Sequence, residues 1–267
     1  MSAPLTAWVE GVGVLGPGLR NWPTASSVLA GEVPYEATPT SIPALECLPP
    51  AERRRTGKVV RLALAVGLEA TAREGTERAA LPAVFSSSGG DGENLHEICQ
   101  VLASADRQIS PTRFHNSVHN ASSGYWGIAT GATAPSNALC AYDASFAAGL
   151  LEALVQARID ETAVLLIAYD VDYPQPIRSV RPIPDAFGVA LLLTPAARPH
   201  SLARLTVQLC AAPAERLPDA PLEALRAQIP AARSLPLLRR LARSEAGAAM
   251  IEYQGSQSLH IEVSPCH

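Results

Sequence analysis

The apolar positions of the chain change period repeatedly, and each change marks an element. Ala7-Trp-Val-Glu-Gly-Val-Gly-Val-Leu-Gly-Pro17 is an apolar run ending in Gly and Pro, which predicts a buried strand. Its glycines point to close approach of another backbone. Residues 18–50 are rich in Pro, Ser and Thr, with one short helical piece near Ser26–Ala30. Pro49-Pro50-Ala-Glu opens a helix, proline being tolerated at the first helical position. Val59, Leu62, Leu64, Val66, Leu68 and Ala70 predict a largely buried helix over Lys58–Arg73, stopped by Gly75. Leu81–Ser86 reads as a second strand, Ser86–Gly92 as a small-residue loop and Glu93–Ala103 as a helix. Ser110–Thr130 is polar and then aromatic, and is helical from about Ser117. Asn137–Tyr142 is apolar but too short for a helix, so it predicts a strand; Ala144–Arg158 then has helical period.

Further on, Thr162–Tyr169, Ala186–Leu193 and Leu202–Cys210 predict strands. Residues 211–245 predict linker and helix. Ala248–Tyr253 and Ser258–Val263 predict a terminal strand pair. Strands alternating with helices imply an α/β fold with a mostly parallel mixed sheet flanked by helices.

The strand-to-helix switch at Asp143 is the most informative point. A strand that turns sharply into a helix sets one side chain at the positive end of the helix dipole, a geometry that enzymes use to expose a nucleophile. Asp143 is a poor acyl acceptor, and its first expected role is to cap the helix N-terminus. The nearest nucleophilic types are Cys140, expected to be a buried structural thiol, and Ser145, expected to serve the first helical turn. His115 and His119 are spaced as a zinc pair would be, but no Glu follows His115 and no third ligand is evident. With Asn116 and Asn120 they read as a polar patch near an interface or pocket. The Ser86–Gly92 loop lacks the lysine and the glycine spacing of phosphate-binding loops and reads as a tight turn under the elbow. Arg178 and Arg181 lie in a Pro/Arg-rich loop that reads as solvated and could meet an acidic carrier protein. No cofactor and no metal is expected.

Composition narrows the class. Of 267 residues, 48% are hydrophobic and 17% charged, so some apolar surface is expected to be covered by a partner. The net charge of −4 and the absence of a basic stripe argue against nucleic acid. Five scattered cysteines without a CxxC pair fit a reducing compartment. Met1–Glu10 lacks the features of a signal peptide, and no apolar run reaches the ~18 residues of a membrane span. A cytoplasmic protein is expected.

These pieces, in this order, resemble the N-terminal half of β-ketoacyl synthases, within the thiolase-like fold. Val9–Pro17 resembles the family's first strand, Pro135-Ser136 the turn ahead of its active cysteine, and Ala186–Leu193 a later strand. Phe114–Trp126 and Ala141–Gly149 are similar to the short chain-length factors of aryl-polyene and related pathways. The resemblance covers about residues 5–195. It implies a thiolase-like domain over 1–200 and a divergent extension over 201–267, capping the same sheet. It places Asp143 where active ketosynthases hold cysteine, with no catalytic residue. His200, His260 and His267 do not match the family's histidine motifs.

The resemblance therefore implies a non-catalytic partner of an active β-ketoacyl synthase, meeting acyl carrier protein transiently. Asn137–Tyr142, with Leu139 and Ala141, would pair with the partner's strand. Phe114, His115, His119, Asn120, Ser123, Tyr125, Trp126 and Ser145 would lie at the interface or tunnel. Two other readings stay open. One is a stand-alone hydrolase or acyltransferase using Ser145 or Cys140 with His115 or His119. The other is a homodimeric scaffold that binds carrier protein.

Overall fold

The computed structural model describes residues 4–266; Met1, Ser2, Ala3 and His267 lie outside the described residues. The chain order is β1 (Leu5–Leu15), α1 (Trp22–Ala30), α2 (Pro50–Arg55), α3 (Lys58–Ala70), β2 (Ala83–Ser86), α4 (Gly92–Ala103), α5 (Pro111–His115) and α6 (Ala121–Thr130). Then come β3 (Ser136–Leu139), α7 (Ser145–Ile159), β4 (Val164–Asp170), α8 (Ile177–Val180), β5 (Phe187–Thr194) and β6 (Ala203–Cys210). The chain ends in α9 (Ala220–Gln228), a 3-10 turn (Pro230–Ser234), α10 (Leu235–Arg243), β7 (Gly247–Glu252) and β8 (Ser258–Pro265).

Among the described residues the strands form one eight-stranded sheet in the order β3-β2-β4-β5-β1-β6-β8-β7. Residues 203–265 supply β6, β8 and β7 to that sheet. The α/β class and the mixed sheet with flanking helices are as expected, but most of its ladders are antiparallel where parallel ones were expected. Only β2 pairs in parallel, with β3 and β4; the other ladders are antiparallel. The reason is connection length. A parallel pair needs a crossover of a dozen residues or more, usually a helix. Between β4 and β5 the only helix is the four-residue α8, so β5 comes back alongside β4 in the opposite sense.

Two apolar layers cover the sheet. On one face lie α1, α7, α10 and the 3-10 turn, with Phe146, Leu150 and Leu154 of α7 fully buried. On the other lie α3 and α6, with Leu62, Leu64, Val66 and Trp126. The glycines of β1 set how close α3 can come. A Cβ at Gly13 would sit 2.0 Å from the Val66 carbonyl oxygen, and one at Gly11 2.1 Å from that of Ala70. The backbone of α3 lies directly on the strand there, as the glycine pattern predicts.

Candidate functional site

Three loops meet at the C-terminal ends of β2, β3 and β4, where open α/β sheets place ligands. They are Ser87–Asp91, Cys140–Asp143 and Val171–Tyr173. β3 is an edge strand, and its four residues run from exposed to half-buried. It is shorter than the Asn137–Tyr142 expected, because Cys140–Tyr142 already bend into a 3-10 turn (Tyr142–Ala144) that leads into α7.

The elbow is held from below by the small-residue loop, as the sequence suggests. Ser86 Oγ donates to the Ser145 carbonyl at 2.6 Å, the Ser87 amide to the Leu139 carbonyl, and Cys140 Sγ to the Ser88 carbonyl at 3.2 Å. Gly149 lets α7 lie against Ser86, since a Cβ there would stand 2.8 Å from that side chain. Ser145 is buried; its hydroxyl donates to the Tyr142 carbonyl at 2.7 Å and accepts from the Ala141 amide at 3.0 Å. Its role is thus to fix the turn. Cys140 is exposed, contrary to the buried thiol expected, because it lies past the end of β3.

Asp143 does not cap α7. No side chain caps that helix. Its carboxylate instead lies between two guanidiniums, with Arg181 Nη2 at 2.5 Å and Arg233 Nη2 at 3.0 Å. Arg233 also reaches Glu252 at 3.0 Å, and Glu252 pairs with Arg226 at 3.2 Å. Arg226 in turn is hydrogen-bonded to Glu223 at 2.8 Å. Three guanidiniums and three carboxylates alternate along this chain of pairs, so the elbow carries no net positive field for an anionic substrate. Arg181 lies over the Tyr142 ring at 3.8 Å, in cation–π contact. The loop that holds it is therefore not wholly solvated, although Arg178 is exposed.

Asp170, at the end of β4, is the second carboxylate of the region and is buried. It accepts from the Ser88 amide at 2.8 Å, the Ser88 hydroxyl at 2.6 Å and the Ala231 amide at 2.8 Å. Burial outweighs these bonds and the Arg181 charge, and its pKa is pushed up to about 6. An unfolded Asp titrates near 4, so this group's contribution to stability is fully present below about pH 4 and is lost as pH rises through about 6. Burial also raises Glu69 and Asp91, which act in the same direction. Denaturant unfolding from pH 4 to pH 7 is expected to show a smaller stability loss in Asp170→Asn than in the parent. Parallel curves would refute the assignment to Asp170.

The residues singled out from sequence separate into three places. Phe114, His115 and Asn120 are exposed on α5 and the turn after it, beside exposed Val118 and Ile128. Ser123 Oγ is 3.0 Å from Ser136 Oγ and joins α6 to the start of β3, while Asn137 donates to Glu152 of α7 at 2.9 Å. Tyr125 and Trp126 instead belong to the chain's own core, each 2% exposed, so they are not at a surface. The aromatic pair has a packing cause: Trp126 lies against Gly67 of α3, and the Tyr125 hydroxyl donates to Asn116.

His115 and His119 do not share a helical face, because a turn separates α5 from α6. His119 sits against Gly90. No hydrogen bond joins either histidine to Cys140 or Ser145 among the described residues, and no group of three or more His, Cys, Asp or Glu could hold a metal there. Neither a dyad nor a zinc site is assembled. Sequence reasoning missed Tyr142, Asp170 and Arg233. Arg233 falls in a segment with no recognisable motif, and nothing local signalled it.

With this geometry in place, the sequence model of the β-ketoacyl synthase N-terminal domain matches residues 22–255. The chain belongs to the β-ketoacyl synthase N-terminal domain family. The match continues well past residue 195, where the resemblance read from sequence ends. A chain of the ketosynthase–chain length factor complex from Xenorhabdus doucetiae superposes with a TM-score of 0.74 at 25% identity, covering 97% of this chain and 99% of that one. The ishigamide ketosynthase/chain length factor gives a TM-score of 0.74 at 13% identity, covering 98% and 100%. A β-ketoacyl synthase from Burkholderia phymatum gives 0.59 at 12% identity, covering 91% of this chain and 71% of that one. These likenesses show the thiolase-like ketosynthase architecture. No curated protein matches the chain. No helix among the described residues is long and apolar enough to cross a membrane.

Proposed function

We propose that this chain is a non-catalytic, chain-length-factor-like partner of an active β-ketoacyl synthase. The setting is type II polyketide, aryl-polyene or fatty-acid-like biosynthesis, and the chain shapes the acyl tunnel across a shared interface. One observation carries the reading: the elbow that would present a nucleophile holds a carboxylate clamped by Arg181 and Arg233. An acyl-enzyme needs an activated nucleophile, and a carboxylate engaged by two guanidiniums is a poor one. The open edge of β3 supplies the surface for pairing with a partner strand. Beside it, Phe114, Val118 and Ile128 border a groove of about 610 Å³. Phe114 is 67% exposed, and its bulk would limit acyl length. Exposed Arg178 offers a transient contact for acidic acyl carrier protein.

Two measurements test the reading. Incubated alone with acyl and malonyl thioesters, the chain should show no acyl adduct by intact mass and no condensation; turnover at an enzyme-like rate refutes it. Supplied with the active subunit, Phe114→Ala and Val118→Ala are expected to lengthen the products. Unchanged lengths in both would remove tunnel gating from the reading.

A further inference from the structure

The residue that the elbow presents outward is Tyr142. Its φ is 53°, a left-handed conformation that β-carbon sterics disfavour. The residue is nonetheless 60% exposed, so burial of the side chain is not what holds it there. The neighbours fix the backbone instead. Ser145 Oγ takes the Tyr142 carbonyl and the Ala141 amide, and Asp143 is clamped on its other side. Arg181 backs the ring at 3.8 Å, and Val180, next in the chain, is 80% exposed. A bulky aromatic held out in an unfavourable conformation by a surrounding that leaves it no other is a functional signature.

We propose that Tyr142, stiffened by Arg181, is an anchor that inserts into the ketosynthase subunit at the seam between the two chains. This rests on the pairing proposed above. Three features choose this occupant. Tyr142 follows Leu139, the last residue of the open edge strand, by three positions, so the ring continues that edge. Tyr and Arg dominate the energetics of protein interfaces, and here each restrains the other before binding, which lowers the ordering cost. The third is charge. Arg181 is already neutralised by Asp143, so the pair offers an aromatic face without a free cation and calls for an apolar recess in the partner, not an acidic one.

The test uses the full-length tagged chain co-expressed with the ketosynthase of its source genome. Equilibrium affinity of the purified pair and thermal melting of each isolated variant are the readouts. Tyr142→Gly is expected to weaken the pair at least tenfold while the isolated chain melts no lower, since glycine accepts the left-handed backbone. Tyr142→Asn, which also tolerates that conformation, should behave likewise, and Tyr142→Phe should bind within about threefold of the parent. A complex indifferent to both Gly and Asn overturns the anchor and leaves the pairing standing. A parent chain that forms no complex with the ketosynthase overturns the pairing, and the anchor with it.

Discussion

Asp170→Ala is expected to cost roughly 3 kcal/mol of stability and to loosen the C-terminal segment first. The carboxylate is the sole acceptor, among the described residues, for the Ala231 amide, and it also takes the amide and hydroxyl of Ser88. Truncation strands two buried backbone donors at once, each worth about 1–3 kcal/mol when left unpaired. The raised pKa offsets part of this, because the ionised group is itself unfavourable in the core near neutral pH. The local consequence follows from position. Ala231 lies in the turn that stands over α7 and carries Arg233 to Asp143. Hydrogen exchange should therefore rise over residues 220–243 before it rises in β1 or β5. Uniform acceleration across the chain would mean that Asp170 supports the fold as a whole and not this cap.

Gly13→Ala should be more damaging still, about 3–5 kcal/mol, and is read as a lowered melting temperature or loss of soluble protein. The added methyl would lie 2.0 Å from a backbone oxygen of α3, an atom that cannot rotate away. The helix must lift from the sheet, and with it the packing of Leu62, Val66 and Trp126 is lost. Gly124→Ala is the matched control. It lies inside α6 with nothing within 4 Å of the new methyl, so it should be neutral or slightly stabilising. If both variants melt together with the parent, the close approach of α3 to β1 is not what the glycine secures.

Most of the fold was legible because its elements are strongly patterned. The run Val164–Asp170 is buried at every position, and β7 and β8 pair across the expected turn. The misreadings have physical causes. Strand direction depends on the lengths of connections, and a four-residue helix between β4 and β5 is below what local pattern resolves. Asp143 satisfies every local rule for a cap, yet guanidiniums from residues 38 and 90 positions away win it. Tyr125 and Trp126 read from sequence as interface aromatics because their neighbours are polar, while the space that receives Trp126 is created by Gly67 on another helix and the Tyr125 hydroxyl is taken up by Asn116. The elbow was legible as a shape; its long-range clamp and its outward tyrosine were not.

The position of β1 in the sheet has a consequence for biogenesis. This strand has its neighbours at residues 188–194 and 203–207, far behind it in the order of synthesis. At about 5–20 residues per second, its partners follow only after roughly 10–40 s. Through that interval an apolar ribbon waits without a hydrogen-bonding neighbour, the situation in which chaperones are needed. Truncations that end before β6 should therefore be recovered as aggregates, however complete the preceding helices are.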